Sequence, residues 1–144
     1  FASSNETPCF CALLEAFSEM ITPKAAANAA LLYAFGTLIG NEDMHNGNLS
    51  FISEHGRPYS IAPAYDMLPM GFHPQTSGKV RNLLNPANLH ASVNHAIWRQ
   101  ALELAQNYLQ NIKKETRWNP SFQPCIEALS QHIATAAIKI QRLG

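Results

Sequence analysis

Asp43, Asn48 and Asp66 are the residues with which this chain is equipped to do chemistry. They lie in Leu38-Ile39-Gly40-Asn41-Glu42-Asp43-Met44-His45-Asn46-Gly47-Asn48-Leu49-Ser50 and in Ala64-Tyr65-Asp66, on either side of what reads as a short β-hairpin. An aspartate, an asparagine five positions on and a second aspartate beyond the hairpin make a phosphoryl-transfer layout. Asp43 can receive or orient a hydroxyl proton, while Asn48 and Asp66 offer the hard oxygen ligands that Mg²⁺ takes when it is bound to nucleotide phosphates. Each residue alone belongs to the ordinary vocabulary of turns. Their joint spacing carries the functional reading.

The elements that must position them follow from local signals. Thr7-Pro8 is an N-cap and first-turn pair that opens a helix through Cys11, Leu13, Leu14, Phe17 and Met20, before Pro23 interrupts it. Thr22-Pro23 repeats the signal, and a second helix runs to about Leu38, its alanines permitting close packing. That helix delivers the chain directly to Asp43. Leu49 to Ser53 and Pro58 to Ala62 flank Glu54-His55-Gly56-Arg57, which predicts two short strands and folds Asp66 back toward Asp43 and Asn48. From Pro63 to about Asn88 the chain is rich in Pro, Gly, Asn and Ser, an ordered functional loop. Amphipathic helices are predicted from Val93 to Leu109 and, after Trp118-Asn119-Pro120, from Ile126 to Ile140. Trp98, Tyr108 and Trp118 read as packing residues.

Composition bounds the class. With 144 residues, 47% of them hydrophobic and 14% charged, the chain suffices for one domain with a core. Ten basic residues balance ten acidic ones, so nothing in the bulk charge favours nucleic acid or an anionic membrane. Cys9, Cys11 and Cys125 are odd in number and wrongly spaced for a redox pair, which suits free thiols in a reducing cytoplasm. The apolar stretch Ala25 to Gly40 is shorter than about 20 residues and carries Asn28 and Tyr33, so a buried helix is expected and not a membrane span. No secretion signal is visible.

Two known patterns sharpen the chemistry. The gap between Asp43 and Asn48 equals that in the kinase catalytic loop H-R-D-x-x-x-x-N, and Asp66 takes the place of the aspartate in D-F-G. Asn41-Glu42 replaces His-Arg, however, and Met67-Leu68 replaces Phe-Gly. Those departures themselves resemble a particular family. Gly40-Asn41-Glu42-Asp43-Met44-His45-Asn46-Gly47-Asn48 and Pro63-Ala64-Tyr65-Asp66 are similar to the G-N-x-D-x-H-x-x-N and P-x-Y-D motifs of HipA-like serine/threonine kinases. The Met67-Leu68-Pro69 continuation and the loop His73-Pro74-Gln75-Thr76-Ser77-Gly78 resemble the YjjJ branch, in which a DNA-binding segment precedes the kinase-like part.

The resemblance implies a mainly α fold, a kinase-like C-terminal lobe that is helical with a short β-hairpin at the catalytic loop. It implies Asp43 as catalytic base, Asn48 and Asp66 as Mg²⁺ ligands toward ATP, and His45 as a group holding the loop or the phosphates. His45 as a proton relay and His45 as a loop-fixing hydrogen-bond partner are equally open, and Asn41 is similarly open between a structural loop cap and a substrate contact. Beyond chemistry it implies a cytoplasmic bacterial toxin kinase with an antitoxin partner and a protein substrate, an aminoacyl-tRNA synthetase among its relatives' targets. DNA would be reached only through a segment outside this chain, and no membrane is involved.

A kinase also needs a glycine-rich loop over the phosphates and a strand-borne lysine. The glycines form no G-x-G-x-x-G, and none of the five lysines stands in a V-A-I-K-like strand. With a start at Phe1, residues 1–144 are therefore expected to be the C-terminal lobe of a longer kinase, binding ATP weakly and showing little activity on their own. A regulatory or interaction module of a DNA-binding transcriptional regulator is the alternative from another class. A mononuclear metal hydrolase using Asp43, His45 and His73 would leave Asn48 and Asp66 without a task. Lys79 and Arg81 read as solvated surface or as contacts to a phosphorylated or nucleic-acid partner, and His55, His90, His95 and His132 share no metal-ligand spacing.

Overall fold

Thr22 begins the first helix as its sequence dictates: its hydroxyl accepts the Ala25 N–H at 3.0 Å, and Pro23 fills the first turn where no donor is needed. The computed structural model describes residues 18–144, and in it α1 spans Pro23–Ile39, α2 His95–Lys114 and α3 Gln123–Gln141. The helix expected from Thr7 to Phe17 lies outside the described residues, as do Cys9 and Cys11. Its expected last stretch, Ser18–Met20, is a turn. Extended pairing claims the backbone there, because the Tyr59 N–H donates to Met20 O (2.8 Å) and the Thr22 N–H to Tyr59 O (2.9 Å).

The hairpin forms with strands β1 (Phe51–Ile52) and β2 (Ser60–Ile61), antiparallel in the register Phe51 to Ile61 and Ile52 to Ser60. Both are shorter than the five-residue runs predicted. An isolated parallel bridge between Ile21 and Tyr59 uses the backbone preceding β2 to tie the hairpin to the start of α1. Ile21, Ala25 and Ala29 are buried there against Met44, Leu49, Tyr59 and Ile61, which fixes the hairpin on one face of the helix.

The main core lies among the three helices. Ala30, Ala34, Leu38 and Ile39 of α1 join Trp98, Ala101, Ala105 and Leu109 of α2 and Leu129, Ile133, Ala136 and Ile140 of α3. The buried positions of α2 recur every three or four residues, one stripe of an amphipathic helix. Asn94 caps it by accepting the Ile97 N–H at 2.9 Å, and Lys113 and Lys114 complement the dipole at its end. Trp98 is fully buried, as its packing role predicts, whereas Trp118 remains 44% exposed against Phe122. Tyr108 sits edge-on to Phe35. His132 is buried and donates from Nε2 to Thr37 O at 3.0 Å, tying α3 to the last turn of α1. The fold is mainly helical with one short hairpin. Among the described residues no helix is long and apolar enough to cross a membrane.

Candidate active site

The site is built on the end of α1. Gly40 adopts the left-handed conformation (φ 75°, ψ 33°), and the Gly40 and Asn41 N–H groups turn back to Thr37 O and Gly36 O in the paired bonds of a Schellman motif. A side chain at position 40 would suffer from that φ and would also meet Leu84 Cδ1 at 2.7 Å. The motif stops the helix abruptly and aims the next residue inward, so Asn41 is only 5% exposed.

Asn41 then bridges the two halves of the site. Its Oδ1 accepts the Asp43 N–H at 3.1 Å, and its Nδ2 donates to Asp66 O at 3.2 Å. The latter bond matters because Asp66 has φ 56°, a left-handed conformation that a non-glycine residue adopts only when its surroundings hold it there. Gly36 receives the same two segments from below. A Cβ there would overlap Met44 Sδ and approach Met67 Sδ to 3.0 Å, so the bare helix surface is the seat on which both methionines rest.

Asn48 and Asp66 are brought together: Asn48 Nδ2 donates to Asp66 Oδ2 at 3.2 Å, while Asn48 Oδ1 accepts the His45 N–H at 3.0 Å. Both ends of this amide agree on its orientation, since turning it over would set an oxygen against the carboxylate and an NH₂ against an N–H. Asn48 is 8% exposed, on the 3-10 turn Asn46–Asn48. Tyr65 closes the far side, its hydroxyl donating to Gly47 O at 2.6 Å and lying 2.9 Å from Ser50 Oγ. His45 is exposed, and its Nδ1 accepts the Gly47 N–H at 3.0 Å, so a neutral ring carries its proton on Nε2. The imidazole is thereby engaged in holding the loop.

Asp43 and Asp66 are both exposed. Neither oxygen of Asp43, nor Oδ1 of Asp66, takes a hydrogen bond among the described residues. Asn48 Oδ1 keeps its second lone pair. A carboxylate oxygen and an amide oxygen with free lone pairs are, by type, a donor set that fits Mg²⁺, which completes its shell with water and phosphate oxygens. Asp43, His45 and His73 do not assemble into a hydrolase centre, for among the described residues no three His, Cys, Asp or Glu side chains converge to hold a metal. His73 instead lines an apolar groove with Pro69, Phe72, Tyr108, Trp118 and Cys125. Burial pushes the Tyr108 hydroxyl and the Cys125 thiol up from their ordinary values. Arg81, read as solvated or partner-binding, is committed within the chain to Glu42 and Asn85, whereas the Lys79 ammonium has no partner among the described residues.

Reading by residue type underrated Asn41, Glu42 and Tyr65. The Gly-Asn pair straight after an apolar helix was the available signal for Asn41, because a C-terminal cap turns the next residue toward the core. Comparison with known proteins agrees with the loop motifs. Residues 6–137 match the model of the HipA-like C-terminal domain. Toxin YjjJ of Escherichia coli (strain K12) is 33% identical over 127 residues, which is 88% of this chain and 28% of that relative, so the chain spans under a third of it. No solved structure matches. With the family model covering nearly the whole chain and the loop, hairpin and Tyr-Asp motif all in place, this chain belongs to the HipA-like C-terminal domain family and resembles its YjjJ branch.

Proposed function

We propose that this chain is the C-terminal catalytic lobe of an ATP- and Mg²⁺-dependent serine/threonine protein kinase of the toxin type. The observation that carries the reading is the contact between Asn48 and Asp66, 18 residues apart in sequence, with Asn41 bonded to the backbone of both Asp43 and Asp66. Asp43 accepts the proton of an acceptor hydroxyl as its oxygen bonds to the γ-phosphorus and the bond to ADP breaks. Asn48 and Asp66 would hold Mg²⁺, which would supply charge neutralisation to the transferring phosphate. Asn41 keeps the base and the metal-binding carboxylate in a fixed relation by bonding to the backbone of both. Since phosphoryl transfer asks the protein for position and charge and for little covalent chemistry, such bracing has catalytic value. His45 steadies the turn that carries Asn48.

The lobe that clamps the nucleotide lies outside these residues on this reading, as does any DNA-binding segment. The YjjJ relative is named a toxin. By that likeness the parent arrests growth when expressed alone, phosphorylates a protein hydroxyl and is restrained by an antitoxin. The test uses the full-length protein: Mg²⁺-dependent transfer from ATP to protein is measured for the parent, Asp43→Asn and Asp66→Asn. Both substitutions should reduce transfer by about 100-fold or more, the scale of a lost catalytic base or metal ligand. Undiminished transfer in both variants overturns the assignment. Growth arrest that survives both substitutions would favour the regulatory-module reading in its place.

A further inference from the structure

Glu42 stands immediately before Asp43, where loops of the H-R-D pattern carry an arginine. Both its oxygens are engaged by one distant segment: Oε2 accepts from Arg81 Nη1 at 2.7 Å, and Oε1 accepts the Asn85 N–H at 2.9 Å. Arg81 Nη2 donates in turn to Asn85 Oδ1 at 3.2 Å, closing a three-membered ring of bonds between the loop and the segment that follows Asp66. The loop thus carries an anion where that pattern carries a cation, and its counter-ion, Arg81, comes from the segment. The segment is anchored elsewhere too. The Gly71 N–H donates to Gly40 O at 2.8 Å, and the Cys125 thiol lies 3.7 Å from Arg81 O, against α3.

An ion pair with side chains 36% and 25% exposed adds little to global stability. Its effect is local, on the residue next to it in the chain. Among the described residues Asp43 has one backbone tether, to Asn41 Oδ1, and its side chain has none. We propose that Glu42, with Arg81 as its counter-ion, is a positioning residue for Asp43: it fixes the loop from the outer side while Asn41 fixes it from the inner side. This rests on the kinase reading for its consequence in turnover, and on the structure alone for the clamp. A displacement of about 1 Å at a reacting group can cost about 100-fold in rate.

In the full-length protein, Glu42→Ala and Arg81→Ala should each lower kcat by about 10- to 100-fold, with KM for ATP changed less than about threefold. The double variant should be no worse than the worse single one, as expected for one coupled unit. Arg81→Lys, which keeps a charge for Glu42 but not the fork that also reaches Asn85, should recover part of the loss. Hydrogen exchange separates the clamp from the catalytic reading. Both alanine variants should speed exchange at the Asp43, Asn48 and Asn85 amides, and Arg99→Ala, on the exposed side of α2, should not. Unchanged exchange at those three amides in Glu42→Ala overturns the clamp whatever the activity. Full activity in Asp43→Asn overturns the kinase reading and with it the positioning role, and faster exchange in Glu42→Ala would then leave the clamp as a structural fact.

Discussion

Replacing Asn41 with alanine should unfasten both halves of the site at once. The side chain is 5% exposed and makes two bonds to backbone, to the Asp43 N–H at 3.1 Å and to Asp66 O at 3.2 Å. Each such bond contributes a net of about 0.5–1.5 kcal/mol, so the pair is worth about 1–3 kcal/mol. For a domain of this size, 1 kcal/mol moves Tm by about 3 °C, and the expected fall is about 3–10 °C. Asp66 has a further reason to respond, since its left-handed conformation costs about 1–3 kcal/mol and persists only while its surroundings impose it. Asn41→Asp dissects the bridge, because a carboxylate still accepts the Asp43 N–H but faces the Asp66 carbonyl as acceptor against acceptor. It should be at least as damaging as alanine despite its closer shape. Thermal unfolding and phosphoryl-transfer rates would be followed for the parent and both variants. An Asn41→Ala protein with Tm lowered by less than about 1 °C and an unchanged rate would refute the bridge.

Gly36→Ala sets about 1 kcal/mol of helix propensity against about 1–3 kcal/mol of overpacking, where the new methyl meets Met44 and Met67. Net stability should change by less than about 2 kcal/mol while turnover falls further than Tm suggests, and paired Tm and kcat measurements test this. Asp66→Gly removes the left-handed strain, worth about 1–3 kcal/mol, so Tm should hold or rise while Mg²⁺-dependent transfer is lost. A Tm lowered by more than about 5 °C would mean that the bond from Asn48 outweighs the strain. Glu115 is held down to about 2 by the side-chain hydrogen bonds from Arg117. Since its folded value lies below the ordinary 4.5, the stabilisation is present above about pH 5 and is lost as pH falls toward 2. The Tm gap between the parent and Glu115→Gln should be small, larger at pH 6 than at pH 2, and should shrink in high salt. A gap that is constant over that range contradicts the pairing.

Local signals were sufficient for the limits of α1, where Thr22-Pro23 located the start and the apolar run the end. Apolar periodicity found α2 and α3 as elements but not their ends, since α2 runs on to Lys114 and α3 begins at Gln123. The hairpin was legible as an element but not in length, because its second strand is met from outside by Ile21, a tertiary pairing that no alternation within 49–62 announces. At the site, spacing alone placed Asn48 beside Asp66. The remaining contacts join residues far apart in sequence: Glu42 to Arg81 across 39 residues, Asn41 to Asp66 across 25 and His132 to Thr37 across 95. An asparagine that caps its own turn and one that bridges two segments look identical as letters. Arg81 likewise reads as surface until the segment folds back to Glu42.

The arrangement divides labour by side-chain chemistry. Asn41 and Asn48 are buried and neutral, and Asp43 and Asp66 are exposed and anionic. An amide offers a donor and an acceptor on one rigid plane, so it can bind an N–H at one end and a carbonyl or carboxylate at the other, as both asparagines do. A carboxylate in either position could only accept, and it would also have to surrender water to be buried, which is far more costly for a charge than for an amide. The bracing is thereby done by groups that can be buried cheaply, and both carboxylates keep free oxygens, which on the proposed kinase reading would face a hydroxyl, a cation and a phosphate. Exchanging the two types, with Asn at 43 and Asp at 41, would preserve volume and net charge yet place the anion where the Asp66 carbonyl needs a donor and the amide where the proposed mechanism needs a base.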